Sequence, residues 1–541
     1  MSQPGSENSA MPWWRGAVIY QIYPRSFSDS NGDGVGDLAG ITAKLDYVAS
    51  LGVDAIWLSP FFASPMKDFG YDVSDYRAVD PIFGTLEDFD RLVARAHALG
   101  LRVIIDQVYA HTSDAHAWFQ ESRSDRLNDK SDWYVWADPK PDGTPPNNWL
   151  AVFYGPCWTW DGRRGQYYMH NFLPSQPNLN AHNPAVQEAL LDTARFWLQR
   201  GVDGFRLDAI NFAMHDPSLA DNPPVTVTNA FLKRPFDFQH HIHNQSQPEL
   251  VPFIEKLAAV LREFGADRFT VAEVGGEQAL AEMKLYTEGK VRLNTSYSFD
   301  FLYAPQLSPA LVLETLSKWP GSDGEGWPSW AFSNHDAPRA VTRWGGPLAG
   351  PDCAKLLLTL LMCLRGNVFL YQGEELGLTQ ADIPFERLRD PEGIANWPLT
   401  LGRDGARTPM PWANILPYAG FSDAEPWLPI PPDHVASAVS EQDGEANSVL
   451  TIARELIELR RSSATLRAGS FRPLELPLPL LGFDRMGESG VLRCLFNLTD
   501  KAQDCAALAS GQLLFATGAV DMDRKSLGGL AGCILEVPAP G

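Results

Sequence analysis

Short apolar runs rich in β-branched and aromatic residues alternate along the chain with segments whose apolar positions recur at helical spacing. Eight runs read as strands: "VIYQIYP" (18–24), "AIWLSP" (55–60), "RVIIDQV" (102–108), "GFRLDA" (204–209), "FTVAEV" (269–274), "SYSFDF" (296–301), "WAFSNHD" (330–336) and "VFLYQGEE" (368–375). Between them, "LEDFDRLVARAHALG" and "VQEALLDTARFWLQRG" are amphipathic, and the second closes on Arg200–Gly201, a helix-stop signal. Strands alternating with helices predict a parallel sheet covered by helices, and eight such units predict an α/β fold of the (β/α)8 TIM-barrel type.

The spacing of the runs is uneven. About ninety residues separate the third from the fourth, dense in Pro, Gly, Asn and Trp, and an inserted subdomain is expected at 109–180. A second, proline-rich insertion is expected at roughly 378–430, after the eighth strand. The barrel then takes 1–108 and 181–462. Beyond the helix "SVLTIARELIELRRS" the pattern changes to short alternating runs such as "SGVLRCLFNLT", which predicts a C-terminal antiparallel β domain over 463–541. The most apolar stretch, "LLLTLLMCL" from Leu356, is bounded by Lys355 and Arg365. It is too short to span a membrane and reads as a buried helix.

Composition narrows the function. The formal net charge of -22 argues against nucleic acid or an anionic membrane as partner. The six cysteines include no C-x-x-C pair, so no zinc site is read and a reducing compartment is expected. No basic segment followed by an apolar run opens the chain, so no signal peptide is expected and the location is taken as cytoplasmic.

In a barrel of this type, functional groups sit at the C-terminal ends of the strands. There the third run carries Asp106 and leads to His111, the fourth carries Arg206 and Asp208, the fifth Glu273, and the seventh Asn334, His335 and Asp336. Taken singly, each could belong to a structural salt-bridge cluster. Jointly, carboxylates converging on one mouth are what glycoside hydrolysis requires: one ionised nucleophile and one proton donor. Arg206 and Asp208 share a strand face, so Arg206 could hold the Asp208 carboxylate charged. Glu273 has no cation beside it in sequence, which suits a proton donor.

"DQVYAH", "GFRLDAI", "VAEVG" and "FSNHD" resemble the four ordered signature regions of the α-amylase superfamily, glycoside hydrolase family 13. "VIYQIYPRSFSDSNGDGVGDLAGI", "FGYDVSDY" and "ARTPMPW" are similar to its α-glucosidase and oligo-1,6-glucosidase branch. The resemblance implies a retaining mechanism with Asp208 as nucleophile, Glu273 as general acid and then base, and Asp336 clasping sugar hydroxyls in the transition state. It places Arg206, His111 and His335 around the glucose in subsite −1. It gives Asp68 and Arg407 the role of gripping the non-reducing-end glucose, with Tyr71 stacking on it. Phe153 and Phe172 are candidates for the pocket wall, with ordinary packing as the alternative.

The segment "DSNGDGVGD" (29–37) reads as a tight Gly/Asx turn needing no ion. Four acidic or amide oxygens close together also repel unless a cation neutralises them. Related glucosidases carry calcium or magnesium in this loop. A structural divalent cation is therefore expected on Asp29, Asn31, Asp33 and Asp37, with the Val35 carbonyl helping, and no organic cofactor. Ala110 stands where many relatives have a calcium-ligating Asn, so that second site is expected to be absent.

The expected activity is exo-acting α-glucosidase action on short α-1,4-glucosides such as maltose, with glucosyl transfer to acceptor hydroxyls. The alternatives are a sucrose- or isomaltose-preferring relative, or a non-catalytic one; retention of all three carboxylates argues against the last. Ala209 bears on linkage. In the branch it resembles, Val at this position accompanies α-1,6 cleavage, and Ala or Thr accompanies α-1,4 cleavage.

Overall fold

The computed structural model of the chain describes residues 11–226, 234–319, 326–400 and 402–538. Eight parallel strands form one sheet. They are β1 (Val18–Ile22), β2 (Ala55–Leu58), β3 (Arg102–Val108), β4 (Gly204–Asp208), β5 (Phe269–Val274), β6 (Thr295–Ser298), β7 (Ser329–Ala331) and β8 (Asn367–Tyr371). They follow one another in chain order, and β8 returns to β1 with Val368 opposite Val18. A parallel bridge between Ser296 and Pro328 joins β6 to the start of β7 and closes the barrel. The expected (β/α)8 barrel is therefore present.

Two cores follow from the period-2 alternation of the strands. Ile19, Trp57, Ile104, Phe269, Val271 and Phe369 fill the barrel interior. Val18, Tyr20, Ile56, Val103 and Ile105 point outward under the helices. Burial on both faces explains why the strands read as continuous apolar runs. The inward parity then carries Ile104 to Asp106 and Val271 to Glu273, so it delivers carboxylates to the barrel mouth.

Six of the eight strands end before their expected runs do, and β3 and β5 alone reach the expected last residue. β7 stops at Ala331, well before Asp336. Beyond it the Asn334 side chain accepts from the backbone N–H groups of Asp336 and Ala337, a local turn that competes with the ladder. β6 likewise ends at Ser298, not at Phe301.

After β3 the chain leaves the barrel, forms a small antiparallel sheet of residues 136–137, 158–161 and 166–169, and returns past an antiparallel bridge between His111 and Asn178. It re-enters through helix α1 (Pro184–Gln199), whose N-terminus is capped by Asn183. Gly201, at φ +93°, ends it as expected. Helix α2 (Pro351–Cys363) contains the most apolar run, buried from Leu356 to Cys363. After helix α3 (Val449–Ser462), a five-stranded antiparallel sheet and a three-stranded one make up the C-terminal β domain.

Arg460 of α3 fastens these parts. Its guanidinium is fully buried and donates to the carbonyls of Gly16, Met362, Leu364 and Gly366. With no carboxylate bonded to it, burial pulls its pKa down to about 9. Arg460→Met would leave four buried carbonyls without donors, a loss of about 3–5 kcal/mol. The expected outcome is a clearly lower Tm with kcat/KM of the folded enzyme unchanged. An unaltered Tm would show that these bonds contribute nothing net.

Candidate active site

Arg206, on β4, is wholly buried at the inner mouth of the barrel. Its Nη1 lies 2.7 Å from Asp106 Oδ1 and 2.6 Å from Asp208 Oδ1, and its Nη2 lies 2.6 Å from Glu273 Oε1. The expected Arg206–Asp208 pairing is present. Glu273, without a cation beside it in sequence, has one in space: neighbours come from adjacent strands, and β4 pairs with both β3 and β5.

One cation thus faces three carboxyl groups. Burial raises the Asp106 pKa to about 6 against the pull of Arg206. Burial also raises Asp208 well above the ordinary carboxylate range; Arg206 opposes this, while Glu273 and Asp106 add to it. Asp106 and Asp208 thus both hold a proton more readily than an exposed carboxylate, despite the guanidinium between them.

Asp336 sits in the opposite regime. Its Oδ1 accepts from Arg407 Nη2 at 2.7 Å and Arg403 Nη1 at 3.2 Å, and its Oδ2 lies 3.2 Å from His335 Nε2. Burial opposes ionisation, but the guanidinium groups of Arg403, Arg407 and Arg206 outweigh it and hold the carboxyl far below its usual range. Burial keeps His335 neutral, with a pKa of about 3. Gln21 donates to His335 Nδ1 at 2.8 Å, leaving Nε2–H as donor toward Tyr71 Oη at 2.5 Å. The Tyr71 and His335 rings stack 5.3 Å apart.

These groups open onto a cavity of about 790 Å³, whose lining includes Asp68, Tyr71, His111, Phe153, Phe172, Asp208, Ala209, Glu273 and Asp336. Phe153 and Phe172 face it with ring centroids 5.7 Å apart. Arg407 is not on the wall. It is 1% exposed, behind Asp336, with its Nε on the His335 carbonyl. The arginine that faces Asp68 is Arg403, whose Nη2 lies 2.8 Å from Asp68 Oδ1 and 2.8 Å from Asp390 Oδ1. A single helical turn (Asp404–Ala406) separates the two arginines and sends both to Asp336. The motif "RDGAR" contains both, and only packing tells them apart.

Sequence reasoning also missed Gln176 and Asp390. Gln176 donates to Asp68 Oδ2 at 2.9 Å. Asp390 accepts from the Arg403 backbone and side chain. Ala209 adopts the left-handed conformation at φ +38°, and its N–H donates to Glu273 Oε2 at 3.1 Å.

The 29–37 loop lies elsewhere. Asp29 accepts from the backbone of Asn31, Gly32 and Gly34 and from the Ser422 hydroxyl. Asn31 accepts from Asp33 N–H, and Asp33 from Val35 N–H. Asp37 caps the helix Leu38–Ser50 and also holds Ser30. The oxygens suit a hard divalent cation in kind. However, among the described residues no three acidic, His or Cys side chains are grouped to hold a metal ion. Backbone N–H groups of the loop meet part of the repulsion between these oxygens.

The profile of the α-amylase catalytic domain matches residues 21–469. A probable α-glucosidase of Rhizobium meliloti (strain 1021) is 55% identical over 497 residues, 91% of this chain and 90% of the relative. An oligo-1,6-glucosidase of Heyndrickxia coagulans is 38% identical over 526 residues, 90% of this chain and 92% of the relative. Among solved structures, the α-glucosyl transfer enzyme XgtA superposes with a TM-score of 0.91 at 52% identity, covering 98% of this chain and 99% of that one. The barrel, its C-terminal β domain and these likenesses agree: the chain belongs to the α-amylase family, glycoside hydrolase family 13, on its α-glucosidase and oligo-1,6-glucosidase branch, and is a glycoside hydrolase.

Proposed function

We propose that the protein is an exo-acting, retaining α-glucosidase that removes α-1,4-linked terminal glucose from short substrates such as maltose and passes it to water or to acceptor hydroxyls. The observation that carries this is the pair Asp208 and Glu273, bridged by one guanidinium at the base of a pocket walled by the Asp68–Arg403 ion pair. Two carboxyls on the two terminal nitrogens of one guanidinium are held close together, which supports a retaining enzyme, whose carboxyls stand about 5–5.5 Å apart.

In this reading the glucose ring lies between Tyr71 and the Asp68–Arg403 wall. Asp208 attacks the anomeric carbon while Glu273 gives its proton to the departing oxygen. Asp336, permanently ionised, binds ring hydroxyls as positive charge builds on the sugar. Ionised Glu273 then draws the proton from water or an alcohol that displaces Asp208. An apolar mouth containing Phe153, Phe172, Phe212, Phe236 and Phe299 favours an organic acceptor over water. The likeness to a protein named α-glucosyl transfer enzyme supports the transfer activity. Six buried, free cysteines support a reducing, cytoplasmic location, which cell fractionation would test. Among the described residues, no helix is long and apolar enough to cross a membrane.

Sucrose or isomaltose preference is the second reading, drawn from relatives named oligo-1,6-glucosidase and trehalulose synthase. Ala209 favours maltose, because a small side chain beside Asp208 leaves room for an α-1,4-linked ring. A structural calcium or magnesium ion at the 29–37 loop belongs to the same proposal and has no part in the chemistry. Each oxygen that accepts an N–H keeps a second lone pair, and Asn31, Asp33 and the Val35 carbonyl would hold the ion.

Three outcomes are expected. Glu273→Gln slows glycosylation far more for maltose than for a nitrophenyl glucoside, whose leaving group needs little protonation; equal losses would remove Glu273 as the acid. Wild-type enzyme prefers maltose to isomaltose. Ala209→Val weakens both, since a β-branched residue is strained at positive φ, but it shifts their ratio by about 10- to 200-fold against maltose; an unchanged ratio would remove Ala209 as a linkage determinant. Finally, millimolar calcium or magnesium raises the Tm of chelator-treated enzyme through ligand linkage, and Asp33→Ala abolishes that rise. A Tm indifferent to both ions would remove the cation.

A further inference from the structure

Tyr297, on β6, is 2% exposed inside the barrel and reaches both halves of the Arg206–Glu273 contact. Its Oη lies 3.1 Å from Arg206 Nε, 3.0 Å from Arg206 Nη2 and 3.0 Å from Glu273 Oε1. A guanidinium has donors and no acceptor, so the phenol oxygen must accept from Arg206. Its single proton is then directed at Glu273 Oε1. Burial, outweighing the pull of Arg206, raises the phenol pKa well above its ordinary value, so the hydroxyl remains a donor at every working pH.

The two oxygens of Glu273 therefore differ. Oε1 faces the buried interior and takes Arg206 Nη2 at 2.6 Å as well as the Tyr297 hydroxyl. Oε2 takes one backbone N–H, that of Ala209 at 3.1 Å. A proton on Oε1 would displace a cation and a hydroxyl donor, whereas a proton on Oε2 competes only with one neutral backbone N–H. We propose that Tyr297 is a positioning residue for the acid/base step: by accepting from Arg206 and donating to Glu273 Oε1, it reserves Oε2 as the oxygen that carries the proton to and from the substrate. This rests on Glu273 being the acid/base.

The charge around Glu273 also comes from Asp106 on β3, Arg206 and Asp208 on β4, and Tyr303 beyond β6. Removing one donor from that set disfavours the ionised carboxylate. The test is the pH dependence of kcat/KM and kcat for Tyr297→Phe, with a nitrophenyl glucoside and with maltose. The alkaline limb, where the acid loses its proton, is expected to move up by on the order of one pH unit. Deglycosylation, which needs ionised Glu273, should fall about tenfold near neutrality, lowering kcat and KM together for the nitrophenyl substrate. Site-specific 3-fluorotyrosine at position 297, a stronger donor of nearly the same size, should move the limb down. It also keeps the test open if Tyr297→Phe does not fold.

An alkaline limb fixed in both variants, with a lower Tm and equal losses on both substrates, would mean that Tyr297 merely satisfies Arg206 Nε, and would overturn the proposal. Glu273→Gln separates this from the broader reading, because it should abolish the limb altogether. If the limb persists there, the acid assignment itself is wrong.

Discussion

The site depends on one buried cation. Arg206 has no access to solvent, and its desolvation is offset by the three carboxyl groups and the Tyr297 oxygen packed around it. Those groups come from β3, β4 and β5, so the geometry of the chemistry is the geometry of three adjacent barrel strands. Removing the guanidinium would leave Asp106, Asp208 and Glu273 in mutual repulsion inside a low-dielectric space. Removing any one carboxyl would alter the proton distribution over the other two. The barrel and the site therefore constrain each other: the strand register sets the charge spacing, and the ion network fixes the register at the mouth.

The shape of the pocket has a different origin. The excursion after β3 supplies His111, Phe153, Phe172 and Gln176, and the insertion after β8 supplies Asp390, Arg403 and Arg407. These two excursions meet at Asp68, which Gln176 and Arg403 both bind, and where Asn396 donates to the Phe153 carbonyl at 2.9 Å. Charges on rigid strands set the reaction, and side chains on loops decide what enters.

The barrel was legible because parallel strands buried on both faces produce unbroken apolar runs, and β3 and β5 coincide with theirs to the residue. Asp106, Arg206, Asp208 and Glu273 were legible because inward parity is a local property. β7 was misread in length because the Asn334 side chain ends the ladder, an event that hydrophobicity does not register. The pairing of Glu273 with Arg206, and the choice of Arg403 over Arg407 opposite Asp68, were not legible: both depend on contacts between segments remote in sequence. Tyr297 was hidden for the same reason, as one aromatic in a strand otherwise made of Thr and Ser. In the 29–37 loop, a count of charged oxygens does not register the N–H donors that the loop's own glycine-rich backbone turns onto Asp29, Asn31 and Asp33.

The wall formed by Asp68, Gln176 and Arg403 has a consequence for traffic. In the reaction proposed above, a far end closed in this way makes the departing fragment and the incoming acceptor use the same doorway between the phenylalanines. The first product would then have to clear before the second reactant docks, a ping-pong order. A released sugar at the mouth would compete directly with the acceptor and, when abundant, would itself receive the glucose.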